Sequence, residues 1–141
     1  VNAASAAAVA AIFVWLGMVL AISFLEAPLK FRAPGVSLQI GLGIGRLVFR
    51  ALNGCEAVLA AVVVVALVVG SRSTGAVIGA GVAVAMLLVQ VALVRPRLSR
   101  RSDAVLAGGD GPRSHAHWVY VGFEAVKVIA LVGGGAALLT A

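Results

Sequence analysis

Charge is scarce in this chain. Only 11% of its 141 residues are charged, against about 25% in an average soluble domain. Five are acidic, and lysine occurs twice, as Lys30 and Lys127. With 62% hydrophobic residues beside so little charge, an ordinary soluble globule is excluded, because polar side chains are too few to cover its surface. A single cysteine, Cys55, excludes an intramolecular disulfide and any cysteine-rich metal site. Next to Glu56, it reads as a small buried packing residue rather than a reactive thiol.

What is present suits a bilayer. A membrane-spanning helix needs about 20 apolar residues, and four segments qualify: Ala3–Leu25, Ala51–Gly70, Ala76–Val94 and His117–Leu139. The first lacks a basic n-region and, at about 23 residues, is too long for a signal-peptide core, so it reads as a retained span. The expected fold is all-α, a four-helix transmembrane bundle, forming one membrane domain over residues 1–141.

The net charge of +6 does not point to nucleic acid, because the basic residues cluster beside spans, where they orient a membrane protein. Lys30, Arg32, Arg46 and Arg50 lie in or beside the first connection, and Arg95, Arg97, Arg100, Arg101 and Arg113 in the third. The hairpin Ser71–Gly75 holds only Arg72. The positive-inside rule places both basic connections in the cytoplasm and both termini on the outer, non-cytoplasmic side. Abundant Ala, Val, Gly and Arg match a high-GC bacterial genome, so the expected location is a bacterial cell membrane, with multiple passes. The expected partners are the lipid bilayer and another membrane protein or a second copy.

In the first connection, Pro28 is expected to end the first helix close to Glu26, and Ala33-Pro34-Gly35 signals a turn. Val36–Phe49 is apolar but carries Gly41, Gly43 and Gly45. It either extends the second helix, starting near residue 37, or lies along the interface with Arg46 and Arg50 reaching phosphates. A long second helix, kinked or tilted near the glycines, is the favoured reading. The third connection, Arg95–Ser114, holds two prolines and Ala107-Gly108-Gly109-Asp110-Gly111 and reads as a solvated loop.

Glu56 and Glu124 fall inside spans. An ionised side chain at a bilayer centre costs roughly 2.5–3.5 kcal/mol on insertion scales. Such groups persist where they find partners in a protein interior. On the fourth span, His117, Tyr120, Glu124 and Lys127 follow spacings of three, four and three and share one stripe. On the second, Arg46, Arg50, Asn53 and Glu56 fall within an arc of about 120° at 100° per residue. Facing one another, these stripes can pair Glu56 with Lys127 and Arg50 with Glu124. They define a polar cluster of Arg50, Asn53, Glu56, His117, Tyr120, Glu124 and Lys127. It serves either as a salt-bridge network fixing helix pairing or as a substrate, ion or proton site.

Other polar residues read more simply. His115-Ala-His117 is not a metal pair, since residues two apart point to different sides of a helix. No metal site, catalytic residue or cofactor is expected. Trp15 reads as packing, Trp118 and Tyr120 as an aromatic belt, and Gln90 as bonding a neighbouring helix. Gly75, Gly79 and Gly81 form a small-residue packing surface, as does Gly133-Gly134-Gly135.

Ala27-Pro28-Leu29-Lys30-Phe31 resembles the alanine-proline-x-x-phenylalanine ending of helix one in the DUF4149 and transmembrane-protein-205-like group of small four-span proteins. Gly45-Arg46-Leu47-Val48-Phe49-Arg50 resembles that group's entry into helix two, and Val94-Arg95-Pro96-Arg97-Leu98 with His115 or His117 also fits. The resemblance implies a four-helix bundle and carries no catalytic residues. Where that group shows a glycine pair in helix one, this chain has only Gly17. A second resemblance, of Arg50-Ala51-Leu52-Asn53-Gly54-Cys55-Glu56, is to the arginine, asparagine and glutamate motif of the MAPEG family of glutathione-dependent membrane enzymes. It implies that Arg50, Asn53 and Glu56 hold the thiol cofactor, although the arginine is displaced by one residue. The expected function is that of an accessory subunit of a larger membrane complex; the alternatives are a small transporter or channel using the polar cluster and a MAPEG-like glutathione-dependent enzyme.

Overall fold

The first helix starts where its sequence says it should. Asn2 caps it by accepting a hydrogen bond from the Ser5 amide at 2.8 Å, and the alanine-rich run beyond it favours helix. The computed structural model describes residues 2–70, 73–94, 96, 100 and 116–140. Among these every regular element is helical, and four helices are long and apolar enough to cross a membrane. The protein is a multi-pass membrane protein built as a four-helix bundle.

Helix α1 covers Ala3–Lys30. It is α-helical over Ala3–Val19, π-helical over Leu20–Glu26 and α-helical again over Ala27–Lys30. Pro28 therefore does not end the helix at Glu26. The wider π turn lies just before the proline, and the Ala27 amide bonds back to the Ile22 carbonyl, five residues earlier. That widening eases the clash a proline ring makes with the carbonyl four residues before it. The chain turns only after Lys30, through Gly35 at φ 81°, a left-handed value that glycine adopts without strain.

Helix α2 runs over Leu38–Val69, 32 residues, capped by Ser37, whose Oγ accepts from the Ile40 amide at 3.2 Å. At 1.5 Å per residue it spans about 48 Å, well beyond the roughly 30 Å of bilayer hydrocarbon. Val36–Phe49 is thus almost wholly helix two rather than a separate interfacial segment. Its glycines serve close contact: the Phe31 ring occupies the space a side chain at Gly41 would fill, and Lys30 does the same at Gly45. Lys30 Nζ lies 5.6 and 5.7 Å from the Phe31 and Phe49 rings, within range of cation–π attraction.

Helix α3 covers Thr74–Val89 and continues as a π-helical stretch over Gln90–Val94. Helix α4 covers Ala116–Thr140. Arg72, most of the third connection and His115 lie outside the described residues. The backbones of α3 and α4 approach most closely, while α1 packs on α2 and α4. Helices α2 and α4 come together little through their backbones and face each other across the bundle diagonal.

Van der Waals fit rather than apolar burial holds helices together in lipid, and small residues allow it here. A Cβ on Gly79 would sit 2.6 Å from the Ala130 carbonyl oxygen and 2.8 Å from Gly134 Cα. Gly75 faces Ala137 in the same way, whereas Gly81 faces open space and takes no part in this seam. Trp15, Ile12, Val19, Val63 and Leu131 fill the interior. Large apolar side chains such as Val65, Ile78 and Ile129 point outward from α2, α3 and α4, as a lipid-facing surface requires. Cys55 also points outward rather than packing inside. It is about 100° round the helix from Glu56, so burial of the carboxylate turns the thiol to the surface.

Replacing Gly79 with Ala forces a methyl group against backbone and is expected to destabilise by about 1–3 kcal/mol. Gly81→Ala is expected to change stability little. Thermal unfolding of both variants in detergent would check the pair, and equal effects would contradict a seam at Gly79.

Candidate polar site in the membrane domain

Among the described residues, four side chains buried in this apolar interior are charged or amide groups: Glu56, Gln90, Glu124 and Lys127. They meet at one place because of where each helix presents them. Glu56 comes from α2, Gln90 from the last turns of α3, and Glu124 and Lys127 from the first half of α4. Ser23 and Trp15 join them from α1.

Lys127 Nζ lies 2.5 Å from Glu56 Oε2 and 2.5 Å from Glu124 Oε1. One ammonium thus holds two carboxylates, and all three side chains are at most 1% exposed. The bridge to Glu56 crosses the bundle diagonal, where the long lysine side chain covers a gap that the backbones leave. Trp15 Nε1 donates to Glu56 Oε2 at 2.7 Å. Gln90 Nε2 donates to Glu124 Oε1 at 2.7 Å and to the Tyr120 carbonyl at 3.3 Å. Ser23 Oγ donates to Glu124 Oε2 at 2.5 Å. Every helix therefore supplies a triad member or a donor to one, and donors to ionised groups make the stronger hydrogen bonds.

Both π-helical stretches contribute here. Ser23 lies within the one on α1, and Gln90 opens the one on α3. A π turn shifts the register of the helix beyond it, and such turns recur at functional sites. In this bundle each hands a neutral polar side chain to the same carboxylate.

The stripe on α4 faces inward as its spacing implies, with Tyr120, Glu124 and Lys127 all buried. Tyr120 Oη lies 3.4 Å from Asn53 Oδ1, and its ring packs edge-on against Phe49, centroids 5.5 Å apart. His117 and Trp118 stand in the first turn of α4, but their side chains are outside the described residues. The stripe on α2 divides. Glu56 is buried, Asn53 is half-buried, and Arg46 and Arg50 are exposed. An arc of about 120° is wide enough that its edges face different surroundings, so Arg50 does not pair with Glu124. Its expected place is taken by Gln90, Ser23 and Lys127.

Gln90 does bond a neighbouring helix. Trp15 packs, and it is also a donor to a carboxylate. Ser23 escaped sequence analysis altogether; its only signal is a hydroxyl in an otherwise apolar run between Ser5 and Glu26.

Compared with protein families, with curated proteins and with solved structures, the chain finds no significant match in any of the three. The chemistry of the site is therefore the guide to its role.

Removing one partner of a buried ion group strands the others, typically at about 3–5 kcal/mol. Lys127→Met is therefore expected to lower unfolding stability by that amount. Adding Glu56→Gln and Glu124→Gln to it should restore most of the loss, since no bare charge remains. Unfolding titrations of the single and triple variants test this, and strictly additive losses would show that the three groups do not act as a unit.

Proposed function

We propose that the protein is a small proton-coupled membrane transporter whose coupling site is the Glu56–Lys127–Glu124 triad. The observation that supports this reading is the charge count. Two carboxylates and one ammonium share a region closed to solvent, and two ionised carboxylates against one ammonium leave an excess negative charge. A structural salt bridge is complete with one carboxylate per ammonium. The second carboxylate is an expense in free energy that pairing alone does not recover. The smallest species that neutralises the triad is a proton.

Among the described residues, all four helices present groups to the triad. Helix α2 presents Glu56, α4 presents Glu124, Lys127 and Tyr120, α1 presents Trp15 and Ser23, and α3 presents Gln90. Farther along α1, Glu26 and Lys30 form a separate pair at 3.9 Å. By the positive-inside rule, the triad lies in the cytoplasmic half of the bundle, with both termini outside, in a bacterial cell membrane.

The accessory-subunit reading rests on small size, the lack of a soluble domain, glycine-rich faces and balanced buried charge, and the last two bear on the site. Gly75 and Gly79 instead face α4, and exposure of Arg50 removes the balance. The glutathione-enzyme reading needs Arg50 and Glu56 to address one ligand, yet one is exposed and the other fully buried.

Purified protein in liposomes carrying an internal pH dye is expected to pass protons under a pH gradient. Glu124→Gln should abolish that flux without preventing folding, and Glu124→Asp should retain part of it. Flux unchanged in folded Glu124→Gln would remove the triad from the pathway. No flux, together with a stoichiometric partner on purification from native membranes, would favour the accessory subunit.

A further inference from the structure

The polar contacts form a line along the bundle rather than a compact knot. On α1, Ser23 and Trp15 are eight residues apart, about 12 Å along the helix axis. Ser23 touches Glu124, and Trp15 touches Glu56. On α4, Glu124 precedes Lys127 by one turn. The order of contact from the basic-connection end inward is therefore Ser23 and Gln90, Glu124, Lys127, Glu56, Trp15.

The two ends of this line differ. Beyond Trp15 the interior is apolar, filled by Ala8, Ile12, Val63, Leu67, Ala76 and Leu138. At the other end stands Gln90, fully buried, whose amide orientation is set by its two acceptors, Glu124 Oε1 and the Tyr120 carbonyl. With Nε2 committed to both, Gln90 Oε1 is left buried with no hydrogen-bond partner among the described residues. A buried acceptor without a donor costs about 1–3 kcal/mol. The position asks for a small donor beside Glu124.

Building on the proton-coupled reading, we infer that Gln90 Oε1 seats a water molecule that delivers protons to Glu124 from the basic-connection end, while the apolar plug beyond Trp15 closes the opposite end. Water is the donor of choice because it both satisfies an amide oxygen and carries a proton to the adjacent carboxylate. Once Glu124 holds the proton, Lys127 relays it. Lys127 first gives one proton to Glu56, an Nζ–H bond breaking as an O–H bond forms, and the neutral amine so left takes the Glu124 proton on its lone pair as the Glu124 O–H bond breaks. Lys127 ends as it began, an ammonium, and one proton has moved a step deeper. Release to the far side then requires the plug to open, so the structure represents the state loaded from the basic-connection side.

Infrared spectroscopy of the reconstituted protein tests this directly. A carboxylic C=O band is expected in the native protein and should be lost in Glu124→Gln or Glu56→Gln. Transfer to D2O should exchange its proton rapidly, and Gln90→Met should slow that exchange by about tenfold, the equivalent of one hydrogen bond. Because Gln90→Met also removes two donated bonds, a second measurement uses the native protein alone. In vesicles of uniform orientation, a pH jump on the face carrying the basic connections should change the band, and the same jump on the other face should not. A band that exchanges equally fast in folded Gln90→Met, or that responds to the opposite face, would overturn the inference and leave the transporter reading standing. Absence of any carboxylic band would overturn both.

Discussion

Everything else in this bundle is arranged around one difficulty: an ammonium and two carboxylates lie buried together inside it. In so apolar a setting each charge must be met by a partner or a donor. Lys127 does most of this by reaching both Glu56 and Glu124. Trp15, Gln90 and Ser23 supply the rest, one from α1 deep in the bundle, one from α3 and one from the α1 π turn. Since the donors come from three helices other than α2, the relative placement of all four helices is tied to the site.

That dependence explains features that would otherwise look unrelated. Two π-helical stretches on different helices lie at the same depth, each presenting a polar side chain to Glu124. One also accommodates Pro28, so a residue that commonly breaks helices is carried inside a continuous one. The close α3–α4 seam runs through Gly79 and Gly134. There, short side chains let backbones approach, whereas across the α2–α4 diagonal a lysine and a glutamate bridge the wider space. The two modes of packing, small against small and long polar against long polar, are complementary solutions within one bundle.

The site also has an inside and an outside. Toward the basic connections it is lined by polar and aromatic groups, and α2 extends beyond the span with exposed arginines. Toward the opposite face the buried core among the described residues is aliphatic. The polar line is thus asymmetric along the bundle, ending in an apolar plug.

Much of this was legible in the residues themselves. Composition and run length determine four apolar helices, since the length needed to span hydrocarbon is a fixed physical distance. Helical periodicity determines that Tyr120, Glu124 and Lys127 share a face, and the cost of burying charge demands that Glu56 find a cation. Tertiary structure decided the rest. Periodicity gives an angle around a helix but not which neighbour lies at that angle, so Arg50 and Glu56, about 120° apart, went to opposite environments. It says nothing of the π turns, which depend on how local hydrogen bonding yields to Pro28 and to packing. Nor does it reveal Ser23 or the donor role of Trp15, because a lone hydroxyl or indole becomes a ligand only when a separate helix brings a carboxylate to it. The shared enclosure of Glu56, Glu124 and Lys127 is likewise a tertiary fact: counting ionisable residues along the chain cannot say which of them share one enclosed space.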